Sequence, residues 1–350
     1  MHSHRLALHC ILPPHMLKKI AEHGDDEQRR WALHSLGLSE RLRGKRDVLG
    51  EIGFAAAVPA GEKRRTVYDA RPAEGLPGAL VRGEGDSKSK DPAVNEAYDG
   101  AGATYDFYDK VYERNSVDDR GLRLDSTVHY GSSYDNAFWD GKQMVYGDGD
   151  GKLFNRFTIA LDVIGHELTH GVTQYEAGLV YQDQAGALNE SMSDVFGSLV
   201  KQYKKKQKAD KADWLIGKGL LAAKVKGVAL RSMKAPGTAY NDPVLGKDPQ
   251  PAHMKDYQKM TEDNGGVHIN SGIPNHAFYL VAMELGGYAW EKAGRIWYVT
   301  LRDRLRSNTN FQQAANLMYR VGGDLYGKGS REQKAVQAGW NGVGITVKSV

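Results

Sequence analysis

An α+β chain is what the 350-residue sequence predicts, with a small helical unit ahead of a strand-rich lobe and a helical lobe. Three patterns carry this reading. Residues 16–43 have helical patterning, residues 66–144 are short apolar runs between Gly and Asp turns, and long amphipathic helices take over after residue 155.

The elements follow in chain order. "HMLKKIAEHG" ends on a glycine stop, and "DDEQRRWALHSLG" opens on acidic residues, which the positive end of a helix dipole favours. "RGKRDVLGEIGFAAAVPAGEKRRT", rich in glycine and basic residues, reads as a linker. "TVYDARPAEGLPGALVRGEG" has strand and turn character, and "DGAGATYDFYDKVYERN" interrupts the strands with one helix. The chain therefore divides into residues 1–47, a linker at 48–65, a first lobe at 66–171 and a second at 172–350.

Composition excludes several partners. A net charge of +4 is small for this length and gives no electrostatic case for nucleic acid or a membrane surface. The single cysteine, Cys10, rules out an intrachain disulfide, and no apolar run approaches the ~20 residues that span a bilayer. "LALHCIL" is interrupted by His9 and followed by Pro13 and Pro14, so it does not read as an ordinary secretory signal. The expected location is the cytoplasm, or outside the cell by a non-classical route.

The chemistry gathers in the helical half. In "ALDVIGHELTHGVTQY", His166 and His170 stand four residues apart, which on a helix puts both imidazoles on one face, where they can share a metal ion. Glu167 is displaced sideways, within reach of a metal-bound water without being a ligand. Further on, "GALNESMSDVFGSLV" offers Glu190 as a third ligand and Asp194, one turn later, as acceptor for the free N–H of a ligating histidine. In "TEDNGGVHINSG", Gly265 and Gly266 let the backbone approach closely, and Asp263 is placed to orient His268 and favour its charged form.

Together with "YDNAFWDGKQMVYGDGDG", "GLVYQDQAGALNESMSDVFG" and "LRSM", these blocks resemble, in order across residues 66–350, the thermolysin-like family of zinc metallopeptidases. Thr173 and Glu176 stand where a metzincin needs glycine and a third histidine, and no GxMEN aminopeptidase motif is present. The resemblance implies a bacterial endopeptidase with a strand-rich lobe, a helical lobe and the active-site helix between them. It implies one zinc ion on His166, His170 and Glu190, with Glu167 as general base and Tyr181 and His268 as donors to the developing oxyanion. Asp263 would keep His268 poised, while Asn136, the Ala137 carbonyl and Arg231 would hold the substrate backbone. Phe154, Val163, Ile216, Leu220 and Leu230 match the family's pocket positions, so a hydrophobic residue is expected just after the cleaved bond. Phe157 stands where a smaller residue is usual.

Relatives carry a double calcium site. Asp162 and Asp213 of that site are kept, but Lys201, Leu215 and Lys218 replace its oxygen ligands, so the double site is expected to be lost, with Lys201 and Lys218 replacing the cations. Asp148 and Asp150 in "YGDGDG" lack the remaining ligands of an EF-hand loop and read as a turn. The run "KQYKKKQKADK" reads as a solvated face.

The N-terminal residues fall outside the catalytic blocks. "ILPPHML" resembles the protealysin-like branch of the family, which implies a removable pro-segment over residues 1–47 of a monomeric precursor, with Pro13, Pro14 and the apolar residues around them in the active-site cleft. Cys10 has two readings, an ordinary apolar cysteine or a thiolate filling zinc's open position. Maturation would give a new N-terminus at Val48, Leu49, Ile52 or Phe54 if autocatalytic, or follow Arg46, Lys63, Arg64 or Arg65 if trypsin-like. Peptides and proteins are the expected substrates. Two other classes stay open: a zinc hydrolase of non-peptide amides or esters, and a non-catalytic zinc-binding effector, which the retention of Glu167, Tyr181 and His268 argues against.

Overall fold

The structure, a computed structural model of the chain, describes residues 9–49 and 61–348, with the backbone alone at His9 and 40–49. Strand β1 (His9–Cys10) leads into helices α1 (Pro14–His23) and α2 (Asp26–Leu49). Pro14 is the first residue of α1, where its missing N–H and fixed φ suit a helix start. Met16, Leu17 and Ile20 form the buried face of that helix. Helix α2 continues to Leu49, past the boundary expected at residue 47, because residues 41–46 are good helix formers apart from Gly44. Of the expected cleavage positions, Ile52 and Phe54 lie outside the described residues.

The first lobe is a sheet with helices against it. Strands β2 (Arg65–Asp69), β3 (Ala79–Arg82), β4 (Leu124–Val128), β5 (Ala137–Trp139) and β6 (Gln143–Tyr146) join β1 in the order β1-β5-β6-β4-β2-β3. The N-terminal unit thus supplies an edge strand, with His9 opposite Trp139 and Cys10 opposite Phe138 in antiparallel register. Arg65, the last residue of the expected linker, already belongs to β2, where its side chain pairs with Glu84. Helix α3 (Pro92–Tyr112) is capped by Asp91, which accepts from the Ala93 amide.

Two helices at the lobe junction position the site. Helix α4 (Leu161–Tyr175) is buried from Asp162 to Thr173, so it is a central helix and not a surface one. It runs to Tyr175, and the division expected at 171/172 therefore falls inside it, since nothing breaks the helical pattern before Gly178 turns left-handed at φ +56°. Helix α5 (Asp183–Lys205) lies against α4 at close range: a Cβ on Gly197 would come 2.3 Å from the Asp162 carbonyl oxygen. Strands β7 (Leu215–Ile216) and β8 (Arg231–Ser232) pair beside this helix couple. Helices α6 (Asp263–Asn270), α7 (Gly272–Leu285), α8 (Ala293–Asp303), α9 (Phe311–Tyr326) and α10 (Arg331–Gly342) complete the second lobe around the stacked Trp297 and Trp340 rings. Among the described residues no helix is long and apolar enough to cross a membrane.

Candidate active site

Helix α4 presents His166 and His170 toward α5, which brings Glu190 to them; the three form the one group of potential metal ligands among the described residues. His166 Nδ1 lies 2.8 Å from Asp194 Oδ1, and His170 Nδ1 lies 2.8 Å from Asn189 Oδ1. In the neutral rings both Nδ1 atoms therefore carry the proton, and the two Nε2 lone pairs face each other at 3.0 Å beside a carboxylate. Glu190 Oε2 has no hydrogen-bond partner among the described residues. Converging lone pairs and a buried, unmatched carboxylate repel one another unless a cation sits between them. The donor set of two imidazoles and one carboxylate fits zinc with a position left open.

The remaining predicted groups surround this point. Glu167 is fully buried, accepts from the Trp139 amide at 3.1 Å and has no partner among the described residues for its other oxygen. Burial pushes its pKa well above the ordinary carboxylate value, and the charge of Glu190 adds to the rise. Tyr181 donates to Glu190 and stands 3.0 Å from His268 Nε2. His268 is delivered by a sharp turn in which Asn264, Gly265 and Gly266 all have positive φ; a Cβ on Gly265 would fall 2.1 Å from Asp183 Oδ1. Its Nδ1 lies 2.6 Å from Asp263, as the sequence predicts. Burial works against the charged imidazole, but Asp263 and Glu190 outweigh it and raise the pKa to about 9.

Asp194 has more partners than predicted. Besides His166 it accepts from Arg231 Nε at 2.9 Å, Arg231 Nη2 at 2.8 Å and Asn275 at 2.8 Å. Burial would raise its pKa, but the Arg231 charge and the hydrogen bonds from His166 and Arg231 hold it well below the ordinary value. Neither Asn189 nor Asn275 stands out in the sequence, because a lone asparagine within a helix carries no distinguishing pattern.

The N-terminal unit lies in the cleft. Ile11 donates its N–H to the Ala137 carbonyl at 3.1 Å and accepts from Arg231 Nη1 at 3.0 Å. Leu12 donates to Asn136 Oδ1 at 2.9 Å and accepts from its Nδ2 at 3.4 Å, while the Cys10 carbonyl accepts from His268 at 2.9 Å. The hydrogen bonds to the cleft thus come from Cys10, Ile11 and Leu12, and not from Pro13 and Pro14. A proline has no N–H to give to Ala137 or Asn136, so the pair instead ends the extended stretch and turns the chain into α1. The Cys10 side chain is buried with Leu38, Tyr130, Tyr134, Phe138 and Val145, and it is not part of the metal-ligating group.

Phe154, Phe157, Val163, Ile216, Leu220 and Leu230 are all buried in the main hydrophobic core, as are Ile11 and Leu12. Lys201, which opens the lysine run read as a solvated face, is itself buried, with its ammonium on Asp162 at 2.8 Å, Asp213 at 2.9 Å and the Leu215 carbonyl at 2.6 Å. Burial lowers its pKa, but the two carboxylates reverse this and raise it. Lys218 is exposed and only 3.8 Å from Asp213. In "YGDGDG", Asp150 caps a turn by accepting from three backbone amides, and Asp148 pairs with His129.

Residues 62–174 match the family described as thermolysin metallopeptidase, catalytic domain, and residues 177–345 that described as thermolysin metallopeptidase, alpha-helical domain. Fold and site together define a zinc metalloendopeptidase. The chain is 52% identical over 347 residues to an extracellular metalloprotease of Pectobacterium carotovorum subsp. carotovorum, a match over 97% of this chain and 96% of that one. It is 42% identical over 338 residues to an extracellular minor metalloprotease of Serratia marcescens, over 95% and 94% respectively. A solved structure, the precursor of protealysin from Serratia proteamaculans, superposes with a TM-score of 0.89 at 55% identity, over 97% of this chain and 100% of that one. The chain belongs to the thermolysin family of metallopeptidases, and it is similar to the protealysin precursor throughout, propeptide included. The names of the relatives overturn the expectation of a cytoplasmic or non-classically exported protein: two chains that match nearly end to end are extracellular proteases.

Proposed function

We propose that the mature enzyme works outside the cell as a monomer, cleaving peptide bonds on the amino side of hydrophobic residues. The observation that carries this reading is the convergence of His166, His170 and Glu190 with the Tyr181–His268 pair on one buried point beside Glu167. When bound there, zinc supplies Lewis acidity toward water and the peptide carbonyl. Glu167, whose raised pKa suits a group that both takes and returns a proton, accepts one from the attacking water and delivers it to the leaving amine. Tyr181 and the charged His268 donate to the carbonyl oxygen as it becomes negative, and Asp263 holds the imidazole in that state. Asn136 and Ala137 hold the substrate backbone, Arg231 grips the carbonyl after the scissile one, and Asp194 fixes both His166 and Arg231. The buried cluster of Phe154, Val163, Ile216, Leu220 and Leu230 receives the apolar side chain that follows the cut.

The pro-segment, residues 1–47, keeps the enzyme latent by filling the cleft, and maturation removes it within residues 48–65. Arg65 is a poor processing position, being held in a strand and paired with Glu84. Lys201 takes the place of the double calcium site, its one ammonium serving Asp162 and Asp213. Casein digestion by mature protein tests the whole reading, with Glu167→Ala and zinc removal as controls. Digestion that both controls abolish is expected. Failure of the unmodified, zinc-loaded enzyme to hydrolyse any peptide overturns it.

A further inference from the structure

The segment that blocks the cleft follows the register of a substrate. The polar groups that hold it alternate along three consecutive residues: Ala137 and Arg231 take the N–H and C=O of Ile11, and Asn136 takes those of Leu12. One residue upstream, the Cys10 carbonyl accepts from His268 Nε2, with the Tyr181 hydroxyl 3.0 Å from that same nitrogen. In the roles assigned above, His268 and Tyr181 serve the carbonyl under attack and Arg231 serves the next one. The carbonyl under attack is then that of Cys10, and the leaving nitrogen is that of Ile11. Ile11 is apolar and fully buried, the kind of side chain expected just after the cleaved bond.

We propose that the Cys10–Ile11 peptide bond is a substrate of the active site it blocks, so that the zinc-loaded precursor clips its own pro-segment there. The step rests on the cleavage reading above and needs only water. The water oxygen bonds to the Cys10 carbonyl carbon, the bond to the Ile11 nitrogen breaks, and the proton taken by Glu167 passes to the departing amine. The products are a Cys10 carboxylate and a free Ile11 amino group. Among the described residues, the released fragment is then held by the two-residue pairing of β1 with β5 and by the buried Cys10 side chain, with no covalent tie to the rest of the pro-segment. The remainder stays docked through Arg231, Asn136 and the buried Met16, Leu17 and Ile20. While residues 10–12 fill the cleft, the linker of the same chain has no access to it, so this cut precedes any autocatalytic cut in the linker.

The test is a time course of purified zinc-loaded precursor in heavy-oxygen water, followed by intact mass and N-terminal sequencing at several protein concentrations. Expected are a chain beginning at Ile11, a released fragment ending in a labelled Cys10 carboxylate, and a rate independent of concentration. Glu167→Ala precursor and chelated wild-type precursor should both stay uncut at this bond. A Cys10–Ile11 bond that remains intact while mature enzyme digests casein overturns the clip and leaves the peptidase reading standing. Cleavage at this bond in Glu167→Ala protein equally overturns it, by assigning the cut to another protease. If neither the clip nor casein digestion occurs, it is the peptidase reading that falls, and the clip with it.

Discussion

His170 depends on a residue that makes no contact with substrate. Asn189 accepts from its Nδ1 and so keeps the Nε2 lone pair turned to the metal. Asn189→Ala should lower zinc affinity by roughly 10- to 100-fold, as read by competition against a chromophoric chelator, while Glu167→Ala should leave that affinity near wild type. Equal affinity in the Asn189 variant would mean that the ring is oriented by its packing alone. At this scale the sequence was legible wherever helical spacing fixes geometry. His166 and His170 share a face by periodicity, and Asp263 and His268 are joined across the glycine turn between them. The apolar residues beside the proline pair were legible as a contact to the cleft, but the partners of Ile11 and Leu12 were not, because they lie 220 and 124 residues away along the chain and no local pattern records such a pairing. The proline pair beside them was conspicuous for its chemistry, yet its missing N–H is what keeps it out of the cleft's hydrogen bonds.

The two central helices succeed as a metal-binding element because they touch backbone to backbone. Gly197 of α5 faces the Asp162 carbonyl of α4, with room for a hydrogen and none for a methyl. Gly197→Ala should therefore push the helices apart, cost about 1–3 kcal/mol of stability and weaken zinc binding at the same time, which thermal melts with and without metal would separate. A loss of stability with zinc affinity intact would show that the helix spacing tolerates the change. Lys201 ties the same pair to the Asp213 loop. Lys201→Ala leaves the buried Asp162 carboxylate without its cation and should destabilise by about 3–5 kcal/mol, whereas a calcium-selective chelator should not move the melting temperature of the unmodified protein. A sharp chelator-induced drop with zinc still bound would contradict the replacement of calcium by lysine. The helices themselves were readable from sequence, but their ends were not: α2 and α4 both outrun the expected boundaries because helix-forming residues continue where composition suggested a change of segment.

The precursor is held together as a whole by an interface with a pH-sensitive member. His15 of α1 is half-buried against Tyr240, with Nδ1 unbonded among the described residues, in the neighbourhood of Asp263, His268 and Arg231. Burial lowers its pKa to about 4; Asp263 opposes the shift, and His268 and Arg231 add to it. A released pro-segment regains the ordinary value of 6.5, so this histidine's contribution to docking is complete above pH 6.5 and is lost as the pH falls toward 4. The loss reaches up to about tenfold in docking equilibrium per pH unit. Labelling of Cys10, normalised to the unfolded chain at each pH, reports undocking in Glu167→Ala precursor: it should accelerate on acidification, and His15→Gln should flatten the dependence. Identical profiles would remove His15 from the account, leaving the Lys18–Glu262, Lys152–Glu27 and His34–Glu74 pairs, which are solvent-accessible and carry little weight each. Once the pro-segment has gone, the outer edge of β5 is a row of unpaired backbone groups that accepts only an extended chain. Helices and well-made sheets do not offer one. Which bonds of a folded target are cut will therefore follow the free energy of opening its loops and termini as much as its side chains, and the enzyme ranks its victims by how often they come locally undone.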